Sequence, residues 1–197
     1  TRLNKEEFLN QTSPLYKEYM AILLANPTQD NLAQVISILQ LFHLAELETH
    51  FAYPCELTLS EVNDSVQPQS ALIYNLVLDD TVHQIVRFAD GLQHKVIPFS
   101  REEGQSLILS FRQNLEFDGS NEFRLQATKL YDLLIKDWAE EFESRGINNL
   151  TFINDAYYRN IPMAVLWDGD SYLIENYVVN YSLGLELASA SENLLHN

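Results

Sequence analysis

The sequence predicts an α/β or α+β fold: a mixed sheet flanked by helices, with a helical hairpin at the N-terminal end. Three observations predict it. Helical apolar spacing fills residues 1–55, the period then changes to two over residues 71–98, and two helical stretches precede a buried-type strand at Leu150. With 197 residues and 46% apolar composition, the chain can bury one well-packed core. The expected organisation is a helical segment over 1–55 and an α/β domain over 56–197.

Asn4 with Glu7 offers a capping arrangement for the first helix. Leu15, Tyr19, Ile22 and Leu23 follow at helical spacing. Asn26-Pro27 ends that helix, because the residue before proline disfavours the α region. Asp30 or Asn31 caps a longer helix with an apolar face of Leu32, Val35, Ile36, Leu39, Phe42, Leu47 and Phe51, widened by Ile38, Leu41 and Ala45, and Pro54 closes it. A polar loop around Pro68 leads to strand Ala71–Leu78 and a turn at Asp79-Asp80. Val82–Phe88 is the return strand, Asp90-Gly91 is a hairpin signal, and Gln93–Pro98 is the third strand. Ser100 with Glu103 makes a capping box for a helix striped by Leu107, Ile108, Phe111 and Leu115. After a loop over 117–121, residues 122–145 read as one helix. Its face is Ala127, Leu130, Tyr131, Leu134, Trp138 and Phe142, and Gly146 stops it. Leu150–Ile153 has the apolar character of a strand in a parallel or mixed sheet. A loop with Asp155 and Arg159, a short segment Ile161–Leu166, a turn at Asp168-Gly169 and the β-rich run Tyr172–Tyr181 complete the order.

Twelve Lys and Arg against 28 Asp and Glu give a net charge of −16. Phosphate-binding surfaces gain affinity from clustered cations, and no basic patch occurs, so neither nucleic acid nor an anionic membrane is an expected partner. Residues 151–197 hold one basic side chain, Arg159, against six acidic ones. Such a balance keeps a surface soluble and can also serve as an acidic docking face for a basic protein. No apolar run approaches the roughly 20 residues of a membrane helix. The single cysteine, Cys55, allows no intrachain disulfide and fits a reducing compartment, so the expected location is cytoplasmic. The chain opens on Thr1 rather than Met and reads as trimmed, which leaves a native leader out of view.

A catalytic cysteine needs a histidine in hydrogen-bond reach to supply thiolate character. Cys55 follows Pro54 at a helix end, with His43 and His50 upstream, and reads as structural. His43 and His50 are seven apart and could share a helix face, but no third ligand is apparent. No metal and no cofactor are expected. Asp168 to Glu175 faintly resembles a calcium loop but lacks its later oxygen ligands and its glycine, so a turn explains it. No Walker loop, dinucleotide fingerprint, nucleophile elbow or zincin motif occurs. The sharpest pair is Asp155 and Arg159, on a strand-end loop of the kind that builds sites in open sheets. They are expected chiefly to form an ion pair that fixes the loop, and secondarily to support a site or a partner. Tyr157 and Tyr158 beside them complete the loop and partner-contact candidates. No residue is assigned a catalytic role.

The run from Asn149 to Tyr177 carries a resemblance. Phe152-Ile-Asn-Asp-Ala-Tyr-Tyr-Arg-Asn-Ile-Pro-Met-Ala-Val-Leu-Trp-Asp-Gly-Asp-Ser-Tyr-Leu-Ile-Glu-Asn-Tyr is close to the pattern F-V-x-D-G-x-L-R-x-I-P-x-A-A-L-x-D-G-x-x-Y-L-I-E-x-Y. The chain resembles the first half of a CHAT domain, a caspase-like peptidase family often found behind TPR repeats in bacteria. Leu41-Phe-His-Leu-Ala-Glu-Leu-Glu-Thr-His-Phe similarly resembles the helix leading into CHAT domains of cyanobacterial type. The resemblance runs from about Leu39 to Leu187 and is strongest over 150–177. It implies a caspase-type sandwich or its N-terminal part. Family members continue into a His-Gly segment and a Cys segment that do the chemistry, and neither appears before Asn197. The expected function is therefore a non-catalytic CHAT-like domain working through protein contacts, with a protein partner or a second copy. The alternative is the N-terminal fragment of a caspase-like cysteine peptidase. An unrelated small-ligand-binding α+β domain is a third reading. Ala156 stands where the pattern has glycine, so the loop is expected to differ locally if that position needs positive φ.

Overall fold

The computed structural model describes residues 8–51, 66–116 and 121–184. Asn4, Glu7, Pro54, Cys55, most of the polar loop, residues 117–120 and the tail from 185 lie outside them, as does the His50 side chain. The described residues form two compact units: residues 8–51 with Leu183 and Gly184, and Val66–Ser182.

The first unit is a helical hairpin of α1 (Ser13–Leu24) and α2 (Gln29–Phe51). Pro14 lies in the first turn of α1, where a missing N–H costs nothing. The apolar stripe expected on α1 is not the buried one, and of its residues only Leu23 is half-buried. Met20 and Leu24 are buried, whereas Leu15, Tyr19 and Ile22 are exposed. On α2 the expected face is buried from Leu32 through Val35, Ile36 and Leu39 to Phe42, and Leu41 is exposed. Thr28, rather than Asp30 or Asn31, caps this helix: its Oγ1 accepts from the Asn31 amide at 3.2 Å.

The second unit is a five-stranded mixed sheet of order β3-β2-β1-β4-β5. Its strands are β1 (Ser70–Leu78), β2 (Thr81–Phe88), β3 (Gly91–Pro98), β4 (Asn149–Asn154) and β5 (Val178–Tyr181). β1, β2 and β3 form the expected antiparallel meander, while β1–β4 and β4–β5 are parallel. The second turn sits one residue earlier than the Asp90-Gly91 signal suggests. Phe88 pairs with Gly91 across Ala89-Asp90, and Gly91 opens β3 at φ 147.

One face of the sheet carries Ala71, Ile73, Val77, Val82, Val86, Leu150 and Phe152 into the main core. Three helices supply the opposing side chains: α3 (Arg101–Glu116), α4 (Phe123–Leu134) and α5 (Ala139–Ser144). Ser100 caps α3 as expected. Its Oγ accepts from the Glu103 amide at 3.3 Å and donates to Glu103 Oε2 at 2.7 Å.

Residues 122–145 are not one helix. α4 ends at Leu134, a 3₁₀ turn spans Lys136–Trp138, and α5 follows. The cause lies on β2. In a continuous helix the Trp138 amide would bond the Leu134 carbonyl. Here the Trp138 amide bonds Ile135 O at 2.8 Å, and Leu134 O accepts instead from Gln84 Nε2 at 3.1 Å. Gly146 stops the helical region as expected, at φ 63. Gly146 N donates to Glu143 O at 3.0 Å and Ile147 N to Phe142 O at 2.9 Å, which is the Schellman pattern, with Ile147 and Phe142 both in the core.

The run Tyr172–Tyr181 also departs from its expected strand. Glu175 Oε2 accepts from the Tyr172 amide at 2.6 Å and sets a helical turn, α6 (Leu173–Asn176), before β5 begins at Val178. The Asp168 turn survives as a side-chain motif. Asp168 Oδ1 accepts from the Asp170 and Ser171 amides at 2.7 Å each, and Trp167 bridges Tyr172.

Candidate functional site

β1 and β4 run parallel, so the chain leaving β4 at Asn154 emerges at the carboxyl end of both, where open sheets place their sites. The emerging segment Ala156–Asn160 is a 3₁₀ turn. It is anchored from beneath by a polar row across the otherwise apolar sheet face. Gln84, Asn75 and Asn154 stand at one register level on β2, β1 and β4. Gln84 and Asn75 are fully buried and Asn154 nearly so.

Polar side chains this deep persist only when their groups are paired. Gln84 Nε2 donates to Asn75 Oδ1 at 2.8 Å, Asn75 Nδ2 donates to Asn154 Oδ1 at 2.7 Å, and Asn154 Nδ2 donates to Tyr158 O at 3.1 Å. At the other end Trp138 Nε1 donates to Gln84 Oε1. The row thus ties the α4–α5 break to the backbone of the strand-end loop. Sequence reasoning missed it because each amide is unremarkable until strand register aligns the three.

The four loop candidates divide sharply. Asp155 is buried, and its Oδ1 accepts from the Ala156 amide at 2.7 Å. Arg159 Nη2 lies 3.9 Å from the same oxygen, too far for a hydrogen bond, while Arg159 Nε donates to Asn154 O at 3.0 Å. The pair does converge on the loop, but Arg159 holds it chiefly through backbone. Tyr158 is buried, and burial pushes its hydroxyl well above the usual tyrosine range. Tyr157 packs against α3, and its hydroxyl, buried, has no hydrogen-bond partner among the described residues. Gly104 permits that approach: a Cβ there would sit 2.8 Å from the Tyr157 hydroxyl and 2.9 Å from the Phe99 ring. Arg159, one-third exposed at its side chain, is the polar group of the four that reaches solvent.

Ala156 adopts φ 48. Alanine thus takes, at the pattern's glycine position, the left-handed conformation that glycine adopts most readily. An L-residue there carries about 1–2 kcal/mol of strain, partly offset by its lower unfolded-state entropy relative to glycine. Ala156→Gly is therefore expected to raise stability by about 0.5–1 kcal/mol, read from the urea midpoint. A lowered midpoint would show that the Ala156 methyl packing outweighs the strain.

The histidines fall elsewhere. His43 is buried and its Nδ1 donates to Leu183 O at 2.8 Å. His83 and His94, not singled out from the sequence, meet on the sheet face opposite the amide row. His83 Nδ1 lies 3.1 Å from His94 Nε2, with ring planes 15° apart and centroids 5.2 Å apart. That separation fits two nearly coplanar rings joined edge to edge by one N–H···N bond. Burial, and then the neighbouring His94, pull His83 down to about 4. Hairpin register was the signal that could have found the pair, since Ile85, two residues after His83, faces His94. No group of three metal-ligating side chains forms among the described residues. No helix among them is long and apolar enough to cross a membrane.

The chain has no match among curated proteins. Residues 124–194 match the family model of the CHAT domain, a span that runs from α4 through the strand-end loop and β5 and holds the stretch of strongest resemblance. The chain therefore contains CHAT-domain sequence, of the caspase-like family, over residues 124–194.

Proposed function

We propose that this chain is a CHAT-like domain that acts through protein contacts, as a scaffold or docking module, and does not itself cleave peptides. Residues 1–55 would form its helical segment and residues 56–197 the domain proper. One observation carries the reading: the strand-end loop, at the place where an open sheet would build a site, turns Asp155 and the Tyr157 and Tyr158 hydroxyls inward and commits the Arg159 Nε to its own backbone. Asp155 binds the Ala156 amide, Arg159 holds the Asn154 carbonyl, and Tyr158 is buried. His83 and His94 bond each other on the opposite sheet face. The partner is another protein or a second copy of the chain, and the acidic balance disfavours nucleic acid. The sole thiol suits a reducing compartment, and this supports the cytoplasm as the proposed location.

The CHAT match supports a second reading, the N-terminal part of a cysteine peptidase whose histidine and cysteine lie in a further segment. Incubation with a mixed peptide library separates the two for this chain. No cleavage is expected. Cleavage that disappears in Cys55→Ala would overturn the non-catalytic reading.

A further inference from the structure

The two edges of the sheet are built differently. β3 carries Lys95, held 3.1 Å from Asp137, and closes on Pro98, and a charged residue and a proline both blunt an edge against further pairing. β5, the other edge, reads Val-Val-Asn-Tyr, with neither charge nor proline. Val178 is 58% exposed and Tyr181 53%. Val178 N donates to Asn148 O and Ser182 N to Phe152 O, so alternation turns the Val179 and Tyr181 amides to the outer side. Neither amide has a hydrogen-bond partner among the described residues.

The charge around this edge is one-sided. Among the described residues, 160–184 hold no Lys or Arg, and hold Asp168, Asp170 and Glu175. Glu143 and Asp168 both act on Tyr177, the residue next to β5, and help to raise its hydroxyl after burial. Arg124, the nearby cation of α4, is already engaged over the Trp167 ring at 4.7 Å and with the Tyr172 hydroxyl at 3.2 Å.

We propose that the β5 edge is a docking site for an extended segment of a partner protein, apolar at alternate positions and flanked by Lys or Arg, which adds as a strand beside Val178–Tyr181. Main-chain bonds to the Val179 and Tyr181 amides would supply affinity, and basic flanks would meet the acid-only surroundings. A second copy fits less well, because it would bring two acid-only stretches together. This proposal rests on the contact-module reading and names its partner chemistry.

The probe is a fluorescent ten-residue peptide of alternating valine and threonine with two lysines at each end, titrated with the full chain at low salt. Saturable binding is expected. It should weaken by about tenfold when glutamates replace the lysines and also in the exposed-edge variant Val178→Lys, and should weaken further as salt screens the flanks. Amide exchange should slow at Val179 and Tyr181. Equal affinity for the glutamate-ended peptide would overturn the assigned partner chemistry. A dimer by light scattering that becomes monomeric in Val178→Lys would overturn it in favour of a second copy. Absence of binding by a monomeric protein would overturn docking at β5. None of these three results touches the peptidase assay, which tests the underlying reading separately.

Discussion

Gln84→Ala is expected to cost roughly 4–6 kcal/mol, among the largest losses of any single substitution in this chain. Gln84 is fully buried and serves three partners at once. Its amide nitrogen donates to Asn75 Oδ1 at 2.8 Å and to Leu134 O at 3.1 Å, and its oxygen accepts from Trp138 Nε1. Alanine would strand a carbonyl, an amide oxygen and an indole N–H, at about 1–3 kcal/mol each, and leave a cavity besides. The terms do not simply add, since the groups can relax toward one another. Against a typical stability of about 5–15 kcal/mol, the loss brings the protein close to unfolding. Urea denaturation measures it. Gln84→Leu is the control: it keeps the volume, so it should recover only the cavity part. A loss under about 1 kcal/mol in either variant would mean that water satisfies the three groups and that the amide row does not hold the fold.

The same side chain shows where sequence reasoning reaches and where it stops. The meander was legible because Asp79-Asp80 and Asp90-Gly91 punctuate apolar runs, and turn chemistry is local. β4 was legible because its apolar content is that of a buried strand. The break after Leu134 was not, because the apolar spacing continues unbroken through Trp138 and Phe142, and the group that takes the Leu134 carbonyl comes from β2. The turn at Leu173 was hidden similarly. Tyr172, Leu173 and Ile174 favour strands, but Glu175 reaches back to the Tyr172 amide. On α1, Leu15, Tyr19 and Ile22 have core spacing and yet are exposed, since periodicity marks an apolar face without saying which neighbour covers it. The site was half legible. Asp155 and Arg159 stand out because a strand ends beside them, whereas Asn75, Gln84 and Asn154, which hold their loop, become a unit only through register. Ala156 shows that alanine at the pattern's glycine position still adopts positive φ, which residue identity alone does not reveal.

Trp138→Ala is expected to cost roughly 3–5 kcal/mol. Trp138 is 5% exposed, part of the main core, and sits in the 3₁₀ turn that joins α4 to α5. Lys95 Nζ lies 5.3 Å from the centre of its ring on the solvent side, and its indole N–H ends the buried amide row at Gln84. Truncation therefore removes a large packed ring and one polar partner together. Trp138→Phe separates the two contributions. It keeps most of the ring while leaving Gln84 Oε1 without its donor, so its expected loss is about 1–2 kcal/mol. The double variant Trp138→Ala with Gln84→Ala should lose less than the sum of the single losses by about 1 kcal/mol or more, because the two side chains share one hydrogen bond and one wall of the core. Additive losses would show that the Trp138–Gln84 bond and the core wall the two share contribute nothing to stability.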